Sequence, residues 1–504
     1  MKTTIITKVF LTAACLMGSV TTSLAQFTQT GKVVSQDRES RAEYGTSVDI
    51  KESYAIVGAS RETIAAGAAY IYEQNRDGEW QHLQKLTAFD SKEMAEFGGA
   101  SKFGDDYLVV ASGRGDIDGI IRAGALYVYN FNNGNGTWDF DVKLHASDYS
   151  GDAKLGMNPT SLDLEGNTIV GGAPGDNGWV GAAYVFENEA GTWTEKQKLV
   201  SPNTPASETF GIGVSISGNV IAVGANETDN RKGSVYMYQK NSEGIWEYQQ
   251  QLRASDATND SFFGSSVSLF EDQLVVGAYG TNAEAGAAYI YEKDSAGEWQ
   301  EVQKLTGAPA SESAQFGWST EIKEEHLVVS APHAYGFDPG ELYFYKKDAN
   351  GEWIEEETIQ GEDTAGEDFF GWSVALHDNQ IISGAPWEDH DATGGNELDR
   401  AGSAYIFKNE LLLGYESDEN QLENKFKVYP VPAVDEVIIQ SKNSSIDEIT
   451  LINQLGMIVK SQNGLNKNES RLSISNLSEG IYFLNIIDTA GRITTKKIIK
   501  TMKD

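Results

Sequence analysis

Cysteine is all but missing from this chain of 504 residues: the single one, Cys15, sits inside an apolar N-terminal run. Disulfide scaffolding, a thiolate nucleophile and cysteine-held metals are therefore excluded from everything downstream of that run. Histidine is nearly as scarce, with six residues in no ligand spacing. Zinc-protease (His-Glu-x-x-His), α/β-hydrolase (Gly-x-Ser-x-Gly) and phosphate-loop segments do not occur, so those chemistries have no support. A carboxylate pair assembled from distant segments leaves no local motif, and a polysaccharide hydrolase or lyase stays open on that ground.

Positive charge is also in short supply, 39 Lys and Arg against 74 Asp and Glu, for a net charge of −35. The deficit is concentrated in residues 27–425, at −39, with +2 on each side of them. Such a surface repels nucleic acid and anionic membranes and concentrates cations, besides keeping an extracellular protein soluble. Lys2, Lys8, the apolar stretch Val9 to Val20 and Ser23-Leu24-Ala25 before Gln26 read as a secretory signal peptide over residues 1–25. A lipoprotein reading of Leu11-Thr12-Ala13-Ala14-Cys15 fits less well, because the apolar run continues past Cys15. No membrane span is expected in the mature chain.

What the chain does have is glycine, 52 residues, much of it in a repeat. One unit begins Phe263-Gly264-Ser265-Ser266-Val267, continues through Leu274 to Ala278 and Gly286 to Tyr291, and ends with Trp299 to Leu305. Its opening glycine recurs as Gly45, Gly98, Gly156, Gly211, Gly264, Gly317 and Gly371, 53 to 58 residues apart. Each unit reads as four short strands, because β-branched and aromatic runs are bounded by turn residues. The second run is apolar without alternation, as a strand covered on both faces would be. Asp77-Gly78, Asn135-Gly136, Ala190-Gly191, Glu243-Gly244, Ala296-Gly297 and Asn350-Gly351 join the third and fourth strands as tight hairpins. Four strands repeated at this period predict a β-propeller, here of seven blades.

The seventh unit stops after its third strand, Ala404 to Phe407, without the Trp-x4-Lys-Leu strand that closes the others. Phe27 to Val33 has that spacing, with Phe27 in the tryptophan place and Lys32 in the lysine place. The N-terminal strand is thus expected to complete the last blade and cover its open edge.

Phe-Gly followed later by Gly-Ala-Pro, as in Gly172-Ala173-Pro174 and Gly384-Ala385-Pro386, resembles the FG-GAP repeats of integrin-α-type propellers. The resemblance implies an all-β fold over residues 26–409. It implies little about function, since propellers host both binding and catalysis. Integrin-type calcium sites are Asp-x-Asp-x-Asp-Gly loops between first and second strands, and these are absent here. No cofactor is predicted, and Ca2+ remains possible only through other ligands. Asp116 and Asp118, and Asp389 and Asp391, are the candidates, on long loops between second and third strands.

Residues 410–425 read as an acidic linker, and 426–504 as a small Ig-like β-sandwich. The segments around Tyr429, Pro430 and Pro432, around Gly456, around Gly480 and Tyr482, and the lysine-rich end with Lys497 resemble the C-terminal sorting domain of type IX secretion substrates. Val431 departs from that pattern, where asparagine is usual, and an ordinary adhesive module is the alternative. The resemblance implies contact with the type IX machinery through residues 426–504. It also implies export across the outer membrane of a Gram-negative bacterium, removal of this domain, and release or anchoring at the outer cell surface.

Six of the ten tryptophans share one fourth-strand place and read as blade packing. Trp318 and Trp372 instead both follow a Phe-Gly, which predicts that they neighbour each other at the channel mouth. Trp387 opens a long loop nearby, and His333, Tyr335, Phe337 and His390 lie on loops of the same two units. An aromatic platform edged by acids suits a sugar ring or a partner's hot spot, though large side chains that merely plug a channel would read the same. Secreted, non-catalytic binding of glycan or protein, as in adhesion, is the leading expectation; a polysaccharide-active enzyme and a structural surface-layer protein are the alternatives. Arg114-Gly115-Asp116 matches the integrin-recognised tripeptide and would matter only as an exposed tip.

Overall fold

The computed structural model describes residues 27–202, 207–307, 313–332, 339–409, 426–429, 433–441, 445–453, 458–462, 464–465, 467–478, 480–488 and 493–501. The signal peptide expected at 1–25 and the linker expected at 410–425 lie outside them. The chain divides into two compact units, Met1–Leu412 and Leu413–Asp504. Among the described residues no helix is long and apolar enough to cross a membrane.

The first unit is all-β, built of four-stranded antiparallel sheets that fit a propeller. The unit singled out in the sequence forms one of them, the fifth, with strands Ser266–Phe270, Gln273–Ala278, Ala287–Lys293 and Trp299–Leu305 paired in that order. Sheets one to four and six follow the same order within residues 44–86, 97–144, 162–199, 214–252 and 320–359. In the seventh the order is Val374–His377, Gln380–Ala385, Ser403–Lys408, then Thr28–Val33. Thr28–Val33 pairs antiparallel with Ser403–Lys408, Lys32 opposite Tyr405 and Val33 opposite Ala404.

Second strands are covered throughout, five of six residues in Gln273–Ala278 being buried, as the unalternating apolar run requires. The glycine that opens each unit has a reason visible at Gly264. Its φ is +93°, and a Cβ there would stand 2.6 Å from the Ser234 carbonyl oxygen of the preceding sheet. Successive sheets touch by a repeated backbone bridge, Gly67 with Phe97, Gly124 with Leu155, Gly181 with Phe210, Gly233 with Phe263 and Gly286 with Phe316. The same bridge joins Gly402 of the seventh to Tyr44 of the first.

The Trp-x4-Lys-Leu strand is explained by two contacts. A glutamine of one fourth strand takes the backbone of the next tryptophan at both ends; Gln250 accepts from Trp299 N at 2.8 Å and donates to Trp299 O at 2.9 Å. Gln84, Gln197 and Gln303 do likewise with Trp138, Trp246 and Trp353. Phe27 N donates to Glu357 at 2.9 Å, the same contact with the roles of Trp and Gln taken by Phe and Glu. The lysine lies over a third-strand tyrosine of its own sheet and pairs with an acid just beyond the fourth strand of the preceding sheet. Lys304 meets Tyr289 and Asp256, Lys198 meets Tyr184 and Asp148, and Lys32 meets Tyr405 and Asp363.

In the second unit Phe426–Tyr429, Glu436–Ser441 and Glu469–Ser473 form one sheet. Ile458–Gln462, Ile446–Asn453, Gly480–Asp488 and Ile493–Lys500 form the other. Their shared core includes Phe426, Val437, Ile439, Leu451, Leu472, Leu484 and Ile486. Tyr482 is buried and donates its hydroxyl to Ser478 O at 2.9 Å; Tyr429 ends the first strand, Gly480 opens the long one at φ +148°, and the Lys497 backbone pairs with Phe483. Pro430, Pro432 and Gly456 lie outside the described residues.

Candidate functional site

In this antiparallel order the start of each first strand and the end of each second strand lie at one end of a sheet. A repeated hydrogen bond fixes that end. The amide two residues past the second strand donates to the carbonyl two residues before the Phe-Gly aromatic place: Arg61 to Ala42, Arg114 to Ala95, Gly175 to Ala153, Glu227 to Glu208, Gly280 to Ser261 and Trp387 to Asp368. The residue between that carbonyl and the Phe-Gly is left-handed every time, at Glu43, Glu96, Lys154, Thr209, Phe262, Gln315 and Phe369, with φ from 51° to 59°. One backbone frame therefore presents five kinds of side chain at seven equivalent positions.

In sheets five to seven the frame carries aromatics in an unbroken contact series. Phe262 stacks on Tyr279, with centroids 5.0 Å apart and planes at 8°. Tyr279 is 5.0 Å from Trp318, and Trp318 is 4.7 Å from Trp372. Trp372 stacks at 5.8 Å on Phe369, which is 4.3 Å from Trp387. Phe369 is buried and the other five rings are half-buried. An arginine stands at each end: Arg400 Cζ is 3.5 Å from the Trp387 centroid and Arg231 Cζ is 5.4 Å from that of Phe262. A left-handed turn, Asp229 to Arg231 at φ 52° to 62°, presents Arg231. Asp389 accepting from Arg400 N at 2.6 Å folds the other loop back. Beneath Trp387, burial and then the nearby Glu388 and Asp389 push Asp368 up to about 6, against the backbone hydrogen bond from Ala365.

The neighbouring pair Trp318 and Trp372 thus meets as the repeat required, and Trp387 joins it through Phe369. Phe262, Tyr279, Phe369 and the two arginines extend the series beyond what sequence reasoning reached. His390 is drawn away, its Nδ1 and backbone N lying 3.0 and 2.8 Å from the buried Glu388 carboxylate. His333, Tyr335 and Phe337 lie outside the described residues.

The candidate cation ligands are spread over separate loop contacts. Asp391 accepts from Thr393 N and Oγ1, Gly395 N and Asn396, which together hold its carboxyl well below the usual range. Asp389 is taken by Arg400 N, Asp118 by the Tyr149 hydroxyl at 2.9 Å, and Asp116 by Arg122 N and Lys92. No group of three or more His, Cys, Asp or Glu able to hold a metal is found among the described residues. Arg114-Gly115-Asp116 is not a projecting tip: Arg114 pairs with Glu96 at 3.1 Å, Gly115 N bonds Ser112 O, and both charged side chains are mostly covered.

First strands of all seven sheets line a cavity of about 400 Å³. Along it a repeated rung position stitches neighbours together: Asp49 accepts from Phe103 N, Asp163 from Ile216 N, Ser215 from Leu269 N and Ser268 from Ile322 N, at 2.6 to 3.1 Å. Lys102 and Glu321 hold the same position and meet each other instead, at 3.4 Å. Burial alone would lower Lys102, but Glu321, Asp49 and Asp163 hold it above its ordinary value. Burial pushes Glu321 up to about 7; Lys102 pulls it back while Asp163 and Asp49 add to the rise.

Residues 27–72, 193–238, 246–291 and 353–407 match the FG-GAP repeat, each match beginning at the aromatic that opens a fourth strand, Phe27, Trp193, Trp246 or Trp353. Residues 427–501 match the secretion system C-terminal sorting domain. No curated protein matches the chain. Among solved structures, the crystal structure of the Saccharomyces cerevisiae Sqt1 is similar at 12% identity and a TM-score of 0.40, covering 76% of this chain and 98% of that one. The sorting domain implies interaction with the type IX secretion machinery and export to the cell surface or secretion. The chain thus contains FG-GAP repeats and, at residues 427–501, a type IX secretion C-terminal sorting domain.

Proposed function

We propose that residues 26–409 form a seven-bladed, integrin-α-like propeller closed by its N-terminal strand, and that it is an exported, non-catalytic module binding extracellular glycan or protein. Support for the ring comes from the pairing of Thr28–Val33 with Ser403–Lys408, the Gly402 to Tyr44 bridge and the cavity lined from every sheet. The single observation carrying the binding role is the aromatic series from Phe262 to Trp387. Five half-buried rings side by side leave a contiguous strip of apolar surface in contact with water, and contiguity of that kind marks an interaction site. Adhesion follows from placing such a surface on an exported protein.

A glycan and protein array, run beside a polysaccharide-degradation screen, tests this reading. Binding without product release, abolished in Trp318→Ala/Trp372→Ala, is the expected result; product release, or binding unchanged in that variant, would overturn it. The intact mass of the protein in culture medium would report removal of residues 1–25 and of the sorting domain together.

A further inference from the structure

Resting on the binding reading above, we propose that the aromatic series receives a basic peptide segment, with arginine or lysine side chains laid over Trp318 and Trp372. The first ground is how the rings are already used. At both ends the face is covered by a guanidinium of the protein itself, Arg400 on Trp387 and Arg231 on Phe262. No described cation lies over Trp318 or Trp372, the half-buried centre of the series. The negative face of an indole attracts a cation most strongly of all side-chain rings, and more so when the ligand is partly desolvated.

Charge around the rings is the second ground. Asp260 adjoins the Phe262 end, Glu367 lies two residues before Phe369 and Asp389 two residues after Trp387, while Glu284 contacts Gln315 in the same frame. Arg231 cancels Asp260 at 2.5 Å, Arg400 lies 4.0 Å from Asp399 and Arg38 reaches the Asp389 carbonyl at 2.6 Å, which leaves Glu284 and Glu367 as the excess. The rim is thus net acidic on a stretch of chain carrying −39. That field draws a cationic segment in, repels sulfated or uronate polymers, and is indifferent to a neutral sugar.

The test titrates the full chain with an arginine-glycine peptide, an acidic peptide of equal length and a neutral β-linked oligosaccharide. Tryptophan fluorescence and calorimetry are the readouts, in wild type, Trp318→Ala/Trp372→Ala and Trp318→Leu/Trp372→Leu. The leucine pair keeps apolar bulk without a π face, and melting curves report folding of each variant. Expected is binding of the basic peptide, weakened by salt and reduced about tenfold or more in both variants. Equal binding by the leucine variant, or by both variants, would overturn the proposal and leave only diffuse acidic attraction. Binding of the neutral sugar without the peptide would overturn it while leaving the binding reading standing. Binding of neither would remove both.

Discussion

The same backbone frame carries two opposite surfaces. In sheets one to three it presents charge: Glu43 pairs with Arg61 at 2.9 Å, Glu96 with Arg114 at 3.1 Å, and Lys154 lies over Trp179. In sheets five to seven Phe262 and Phe369 stand where Glu43, Glu96 and Lys154 stand, and Trp387 stands where Arg61 and Arg114 do. All of these left-handed positions agree within a few degrees of φ. Glycines and bridges set the frame, so side chains on it vary without disturbing the sheets. The first surface closes on itself through ion pairs, whose contribution to stability is small, whereas the second leaves part of five aromatic rings in contact with solvent.

The hardest way to break the comparison is to remove the strand at the seam where the two surfaces adjoin. Deleting residues 27–40 opens the last edge of sheet seven, beside Tyr44 of sheet one. The expected outcome is loss of cooperative melting and aggregation by size exclusion, because the unpaired edge and core are exposed. An unchanged melting curve would rule the closed ring out.

A smaller perturbation separates the surfaces from below. Lys32 is 5% exposed and joins Asp363 at 2.6 Å to Glu388 at 3.1 Å, the latter fully buried and next to Trp387. Lys32→Ala removes the lysine from a buried carboxylate, leaving Glu388 only its contacts with His390 and Ser403, and is expected to cost about 3 kcal/mol by chemical denaturation. Lys143→Ala, under the charged side and paired with the more exposed Asp90, is expected to cost about 1 kcal/mol or less. Equal losses would show that the aromatic side has no special support.

Across the cavity Lys102, from the charged side, meets Glu321, three residues past Trp318. Glu321 titrates near 7 in the fold against an ordinary 4.5, so the folded protein keeps a proton that the unfolded chain gives up. The stability this carboxyl contributes is full below pH 4.5 and is lost as pH rises to 7. Wild type should therefore fall relative to Glu321→Gln across that window, by up to about 3 kcal/mol, in melts taken pH by pH. A constant difference would place Glu321 in open solvent.

Much of the framework was legible because its signals are local: glycines at forced positive φ, continuous apolar second strands, hairpin dipeptides and the lysine spacing that identified Phe27 to Val33. Trp318 and Trp372 could be brought together by repeat equivalence alone. Phe262 and Phe369 were hidden, since a doubled phenylalanine before glycine reads as core; the usable signal was that other repeats have Glu, Lys, Thr or Gln there. Arg400 could not be placed, because its position depends on a long loop that Asp389 folds back. The contacts of the candidate cation ligands Asp389 and Asp391 were hidden for a related reason: the amides that hold them converge only after folding.

Hydrogen exchange of the full chain, with and without whichever glycan or peptide the binding screen returns, addresses the contrast between the two surfaces most directly. Protection is expected at amides 262–265, 279–280, 316–319, 369–373 and 387–388, with exchange unchanged at Glu43, Arg61, Glu96 and Arg114. Protection over the charged positions, with none along the aromatic series, would contradict it.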